Sequence, residues 1–278
     1  MAQAKDAKDG ASRPIEIRAE GLSKSFESRV VLRSVDLEVR RGEIVAIVGA
    51  SGSGKTVLLH LLIGLIDPTS GRVLVAHHSR PGAPLVDLAP LGQAERDEVR
   101  LSWAVVFQRN ALFSDSVYDN CALWLREHTR LGEKEIRRRV RESLAAVALD
   151  VDDVVGKSRD ELSGGMAKRV AVARAIAVDP TVLFYDEPTT GLDPVFAAHL
   201  HELIWEMHFR PRADGVARTT LIVTHDRELL RRLHPRVLMI HDGRIAFDGP
   251  YEGFEKKAEG PAHEYLQAMP VLNARPMA

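Results

Sequence analysis

Apolar and polar positions divide the chain into strand-rich and helix-rich stretches. Short apolar runs at 15–19, 30–39 and 43–48 read as strands. The last, Ile44-Val45-Ala46-Ile47-Val48, is apolar without alternation, the pattern of a strand buried on both faces. A glycine-rich loop follows, then a helical pattern over 55–65 and a further strand at 72–76. From about 93 to 160 the pattern turns helical, with Ile136, Val140, Leu144 and Val147 recurring every three or four residues. Beyond 162 a helix at 167–178 and strands at 182–185 and 221–224 alternate again, and Asp193-Pro194 has the form of a helix start. There is no internal repeat. Strands alternating with helices around a helical insert predict an α/β fold with a mostly parallel core sheet. The expected organisation is a disordered lead-in at 1–14, one folded domain at 15–247 with a helical subdomain at about 93–165, and a C-terminal extension at 248–278.

Composition narrows the function. Lys plus Arg number 38 against 39 Asp plus Glu, so no electrostatic case exists for nucleic acid as the main partner. Cys121 is the single cysteine, which excludes an intrachain disulfide and a Cys-rich zinc site. The strongest apolar windows, 44–48 and 57–66, fall short of the roughly 20 residues of a membrane-spanning helix. The first fourteen residues carry mixed charge and lack the apolar core of a signal peptide. Any membrane association is therefore expected to come through a partner.

The candidate chemistry begins at Gly49-Ala50-Ser51-Gly52-Ser53-Gly54-Lys55-Thr56, which fits G-x-x-x-x-G-K-[ST] between an expected strand and an expected helix. The glycines allow backbone N–H groups to converge on an anion, and the helix N-terminus adds its partial positive charge. Lys55 is expected to reach the β- and γ-phosphates and Thr56 to ligate Mg2+. Lys-Thr after the last glycine disfavours a dinucleotide turn. Val182-Leu183-Phe184-Tyr185-Asp186-Glu187 is an apolar strand ending in two carboxylates. Asp186 can bind Mg2+ there and Glu187 can act as general base or water-positioning group. Taken alone, such a pair also suits a helix cap or a solvated turn.

Further motifs in order give the chain a resemblance to the ATP-binding cassette (ABC) ATPases. Gln108, in Val105-Val106-Phe107-Gln108, matches the Q-loop, and Leu162-Ser163-Gly164-Gly165-Met166 the signature. Asp186 and Glu187 match Walker B, Gly191-Leu192-Asp193 the D-loop, and His225 the switch histidine. Phe26, in Ser25-Phe26-Glu27, takes the place of the adenine-stacking aromatic, with a core position as its other reading. The match spans roughly residues 16 to 247. The resemblance implies a P-loop NTPase cassette with a RecA-like parallel-sheet core, an N-terminal antiparallel β subdomain and a helical insert. It implies ATP and Mg2+ as cofactors, with Thr56, Gln108 and Asp186 toward the metal. It also implies a head-to-tail homodimer, in which Ser163, Gly164, Gly165 and Asp193 of one chain close on ATP held by residues 49–56 of the other. His225 would contact the γ-phosphate; otherwise it is a strand-end histidine satisfied by its neighbours.

The run from Gln108 through Asn120, with Leu125-Arg126-Glu127-His128-Thr129, Met166-Ala167-Lys168-Arg169 and Gly191-Leu192-Asp193-Pro194, looks like the ATPases of the Mla/Mce-type lipid transporters. Members of that group differ at Gly191-Leu192. The resemblance implies the ATPase of a phospholipid transporter on the cytoplasmic face of a bacterial inner membrane. Its expected partners are an integral permease, a periplasmic Mce-domain protein and a small accessory subunit. A solute importer ATPase would carry the same motifs. A ribosome- or DNA-directed ABC protein is disfavoured by the single cassette without a heptad array, and a module without turnover by Glu187 and His225.

Four peripheral features stay open in the sequence. Leu112, Phe113, Tyr118 and Trp124 could form a groove for a coupling helix or fill the insert's own core. Arg137-Arg138-Arg139 with Arg141 could touch anionic lipid or form a solvated helix face beside Glu133, Glu135 and Glu142. Arg210, Arg212 and Arg218 around the Asp214-Gly215 turn read as surface loop. The extension could dock on a partner ATPase or an accessory subunit; Tyr251, Phe254, Tyr265 and Leu266 give it anchors, and the sequence does not say where they go.

Overall fold

The computed structural model describes residues 13–109, 111–212, 215, 218–257 and 259–269. The expected lead-in up to residue 12, Asn110, Asp214 of the expected turn, and the end of the extension from 270 lie outside the described residues. The chain divides into two compact units, Met1–Arg100 with Thr219–Ala278, and Leu101–Arg218.

The first unit holds two sheets. One is antiparallel, in the order β2-β1-β4-β5, from β1 (Ile15–Phe26), β2 (Arg29–Arg40), β4 (Ser70–Val75) and β5 (Val86–Asp87). Ile17 pairs with Val39 and Ala19 with Leu37, so alternate residues of both strands reach the buried face. The other sheet is built on β3 (Ile44–Val48), which lies parallel between β8 (Thr219–Val223) and β9 (Arg236–His241), with β10 (Arg244–Pro250) antiparallel on β9. Val45 through Val48 are all buried, as their unbroken apolar run predicts. β3 feeds the loop 49–54 and then α1 (Lys55–Leu62), which buries Leu58, Leu59, Leu61 and Leu62. A short helix, α2 (Gln93–Arg100), completes the first stretch of this unit.

The C-terminal extension belongs to this unit's core. β10 runs through the boundary expected at 247, and α9 (Tyr251–Glu255) and α10 (Pro261–Ala268) follow it. Tyr251, Phe254 and Leu266 are buried against Val48, Val237 and Met239, with Tyr265 packed partly buried beside them. These anchors, whose destination the sequence leaves open, thus close on the chain's own β3 and β9.

The second unit contains the parallel pair β6 (Trp103–Val106) and β7 (Val182–Asp186), in register from Trp103↔Val182 to Val106↔Tyr185. Between them come α3 (Val117–His128), α4 (Glu133–Ala146), α5 (Val151–Val154), a 3-10 turn at Arg159–Glu161 and α6 (Gly164–Ala177). α7 (Pro194–Phe209) follows β7. β6 interrupts the stretch expected to be helical from about 93. Its four residues are too few for alternation to show, and burial on both faces removes the polar positions that would mark it. α4 has the expected inner face, burying Ile136, Val140 and Leu144, with Val147 buried at its end.

Arg218 departs from its expected surface-loop place. It is buried, and its guanidinium donates to the carbonyls of Met207 at 2.9 Å and Arg210 at 2.6 Å and pairs with Asp179. The C-terminal carbonyls of α7 lack intrahelical partners, and a buried cation satisfies them.

Candidate functional site

The first unit carries the phosphate loop. Gly49 has φ +147°, and a Cβ there would lie 2.4 Å from the Ile240 carbonyl oxygen and 2.8 Å from Ser53 Oγ. Gly54, the cap of α1, has φ +106°, and a Cβ would meet Leu32 Cδ2 at 2.9 Å. Both positions demand glycine by conformation and by space. The loop is closed internally by Ser53 N donating to the Ala50 carbonyl at 3.2 Å. Lys55 Nζ arches over it, donating to the carbonyls of Gly49 at 2.9 Å and Ala50 at 3.0 Å. No acidic residue occupies the first turn of α1 and no side chain caps it, so its N-terminal dipole meets no opposing charge from its own turn.

A cavity of about 370 Å3 opens against this loop, lined by Phe26, Arg29, Gly52, Lys55, Thr56 and Val57 among others. Phe26 is 46% exposed, so of its two readings the core position is excluded. Lys24 Nζ stands 5.0 Å from its ring centroid. Arg29 is a cavity residue that the motifs did not single out; a basic side chain three positions after Phe26, at the start of β2, is the signal that was there to read. β3 and β8 are parallel, with Ile47 opposite Val223 and Thr224 N donating to the Ile47 carbonyl at 3.2 Å. Gly49 and His225 therefore leave the sheet at the same strand ends, where ligands of such sheets gather. His225 is exposed between two buried neighbours, Thr224 and Asp226. Asp226 caps α8 (Arg227–Leu233) by accepting from Glu228 N and Leu229 N.

The second unit carries the remaining candidates. Because β6 and β7 are parallel, Gln108 and the Asp186-Glu187 pair emerge at one end of that pair. Gln108 is exposed, whereas Asp186 and Glu187 are buried. Glu187 has φ +48°, a left-handed conformation that costs a glutamate about 1 kcal/mol or more and needs support from its surroundings. Part of that support is Thr190 Oγ1, which donates to Glu187 Oε2 at 3.4 Å. Lys168 lies buried beneath this turn, with Nζ donating to the carbonyls of Phe107 at 2.9 Å, Gln108 at 3.3 Å and Glu187 at 3.5 Å. Burial pulls its pKa down to about 8, against the opposing pull of Asp186 and Glu187.

Ser163 caps α6, its Oγ accepting from Met166 N at 3.2 Å. A Cβ built on Gly164 or Gly165 would meet nothing within 4 Å, and neither residue has positive φ. The chain's own atoms thus give no reason for glycine at either position. Asp193 caps α7, accepting from Phe196 N at 2.9 Å. Arg169 lies 3.7 Å from the Asp193 carboxylate and stacks on the Phe196 ring at 3.8 Å.

The peripheral candidates divide. Tyr118 is held in an ionic cluster, with its hydroxyl donating to Glu133 at 2.5 Å and Arg126 and Arg137 over its ring. Trp124 packs on His128, Leu112 is half-buried, and Phe113 is 52% exposed. In the basic run, Arg138 pairs with Glu135 and Glu142, Arg139 with Glu135, and Arg141 with Asp152, the solvated helix face of the two readings.

Among the described residues, no cluster of three or more His, Cys, Asp and Glu is placed to hold a metal. The first unit offers the Thr56 hydroxyl beside the phosphate loop, and the second, by itself, a buried carboxylate at a strand end, Asp186. Each is an oxygen donor of the kind that suits Mg2+, which is held by one or two protein oxygens together with substrate phosphates.

The family model for ABC transporters matches residues 32–190, and the chain belongs to that family. It is 36% identical over 95% of its length, and 70% of the relative's, to the probable ribonucleotide transport ATP-binding protein Mkl of Mycobacterium tuberculosis. It is 37% identical to the intermembrane phospholipid transport system ATP-binding protein MlaF of Haemophilus influenzae, covering 85% of this chain and 84% of the relative. Against the sulfate/thiosulfate import ATP-binding protein CysA of Xylella fastidiosa it is 39% identical, over 82% of this chain and 61% of the relative. Among solved structures, a dimeric ATP-binding cassette in a post-hydrolysis state bound to ADP and Pi superposes with a TM-score of 0.74 at 27% identity, covering 84% of this chain and 98% of that one. The fold is that of the ABC cassette P-loop NTPases, and the protein is an ABC ATPase.

Proposed function

We propose that this ATPase powers phospholipid transport between bacterial inner and outer membranes. The observation that carries the reading is the likeness to MlaF, which extends over most of both chains. The similarity to CysA, at comparable identity over a smaller share of the relative, favours the second reading, an importer of a small solute. Both readings require a membrane-embedded permease as partner and place the chain on the cytoplasmic face of the inner membrane. The lipid reading adds a Mce-domain periplasmic protein and a small accessory subunit.

The chemistry is common to the two readings. ATP would occupy the cavity, with adenine on Phe26 and the phosphates against residues 49–56. Mg2+, held by Thr56, Gln108 and Asp186 together with phosphate oxygens, would neutralise charge on the β- and γ-phosphates. Glu187 takes the proton from the attacking water as the water oxygen bonds the γ-phosphorus and the bond to the β,γ-bridging oxygen breaks. His225 hydrogen-bonds the γ-phosphate and keeps the water in line. The signature residues Ser163, Gly164 and Gly165, with Asp193, complete the site on a second copy of the chain. The open space over Gly164 and Gly165 supports that role, because a phosphate can reach their backbone N–H groups only if no side chain intervenes. A two-fold pair then contains two composite sites.

Two experiments test this. Glu187→Gln removes the base but keeps the volume, so it should bind ATP, lose turnover at least about a hundredfold and accumulate as an ATP-bound dimer in light scattering; normal turnover would refute the base assignment. Capture of the tagged chain from detergent-solubilised native membranes, followed by mass spectrometry, decides the substrate. A permease with a Mce-domain protein and retained phospholipid supports the lipid reading, and a permease with a solute-binding protein supports the importer.

A further inference from the structure

Lys168 is buried, with 3% of its surface exposed, although it lies in the second turn of α6 only five residues after the cap Ser163. Burying an ammonium is costly unless its protons find acceptors. Here the three N–H donors of one ammonium face three backbone carbonyls, those of Phe107, Gln108 and Glu187. Two of these acceptors belong to the segment leaving β6 and the third to the turn leaving β7. One side chain therefore ties the helix that begins at Ser163 to the backbone of both Gln108 and Glu187. The turn at Glu187 is the one that needs restraint, since its left-handed conformation is unfavourable for a side-chain-bearing residue.

We infer that Lys168 is a positioning residue for ATP hydrolysis, holding Gln108 and Glu187 in fixed relation to the signature end of α6. The inference rests on the reading of Glu187 as general base. Its consequence is directional. When the N-terminus of α6 seats on a phosphate, the displacement of that helix reaches Gln108 and Glu187 through Lys168, so docking of the signature and alignment of the base on the same chain become one event. The nucleotide cavity is lined by residues of the 26–57 stretch, so nucleotide binding is expected to be independent of Lys168.

The test is a comparison of Lys168→Met and Lys168→Gln in the full-length chain. Methionine fills the stem's space without donors, and glutamine keeps two N–H donors without the charge. K168M should lower kcat by about tenfold or more while KM and the affinity for a fluorescent ATP analogue stay within about twofold. K168Q should recover part of kcat, because some carbonyls regain a donor. In a Glu187→Gln background, K168M should still form the ATP-dependent dimer, which reports binding and docking without turnover. A kcat for K168M within about twofold of wild type would overturn the inference. So would a fall of Tm, affinity and kcat together in both variants, the pattern of a merely structural lysine. If K168M does not fold, K168Q carries the same split of kcat from KM. Retained turnover in Glu187→Gln alone would instead fail the general-base reading, a result separate from either Lys168 variant.

Discussion

Glycines at the site fall into two kinds, distinguishable only by what surrounds them. Gly54 is required by the chain itself, since its φ is +106° and Leu32 and Val31 leave no room for a methyl group. Gly164 is not, being helical and open to solvent. Gly54→Ala should therefore lower stability by about 1 kcal/mol or more, seen as a fall in Tm, and weaken ATP binding with it. Gly164→Ala should leave Tm unchanged or slightly raised, because alanine is the better helix former, while turnover falls as the methyl group blocks approach to the backbone. A Gly164→Ala variant with full turnover would remove the composite-site role from that residue. The places of Lys55, Thr56, Asp186 and Glu187 in the fold were legible in the sequence because each lies at a fixed offset from a glycine loop or an apolar strand. Those of Lys168 and Arg218 were not. A cation reads as solvated unless acceptors are known to surround it; those of Lys168 include carbonyls about sixty residues away, and those of Arg218 are carbonyls at the end of α7 whose approach depends on how the intervening loop folds back.

Elements were readable in proportion to their length and periodicity. β3 and α4 showed their burial patterns openly, one as an unbroken apolar run and the other as a helical stripe. β6 has only four residues, and it vanished into the helical stretch around it. The extension failed for a different reason. Its apolar residues are sparse, and their partners on β3 and β9 are remote in sequence, so nothing local says where Tyr251 and Phe254 go. Both prove fully enclosed, at 1% and 0% exposure. Phe254→Ala should thus destabilise by about 3–5 kcal/mol, the cost of a large core truncation. Chemical denaturation should show that loss, with ATP affinity retained under native conditions because the cavity at residues 49–56 is lined by other elements. A loss under 1 kcal/mol would mean that α9 and α10 peel away readily and are free to meet a partner after all.

Whole-molecule chemistry decides how the protein meets a membrane. Net charge is −1, and among the described residues no helix is long and apolar enough to cross a bilayer. The one concentrated basic stretch, Arg137 to Arg141, is engaged by the chain itself, with Glu135, Glu142 and Asp152 taking Arg138, Arg139 and Arg141 and the Tyr118 ring taking Arg137. An anionic surface would have to compete with carboxylates that are already in contact, and screening at physiological salt confines its pull to about 8 Å. The purified chain should therefore stay in the supernatant when phosphatidylserine-rich vesicles are sedimented at that salt. It should bind membranes only when the permease is present. Replacing Glu135 and Glu142 by glutamine would release Arg138 and Arg139 and should raise vesicle binding at low salt. Strong sedimentation of the unmodified chain with permease-free vesicles would show instead that α4 is a membrane-contacting face, and that recruitment begins at the lipid rather than at a protein partner.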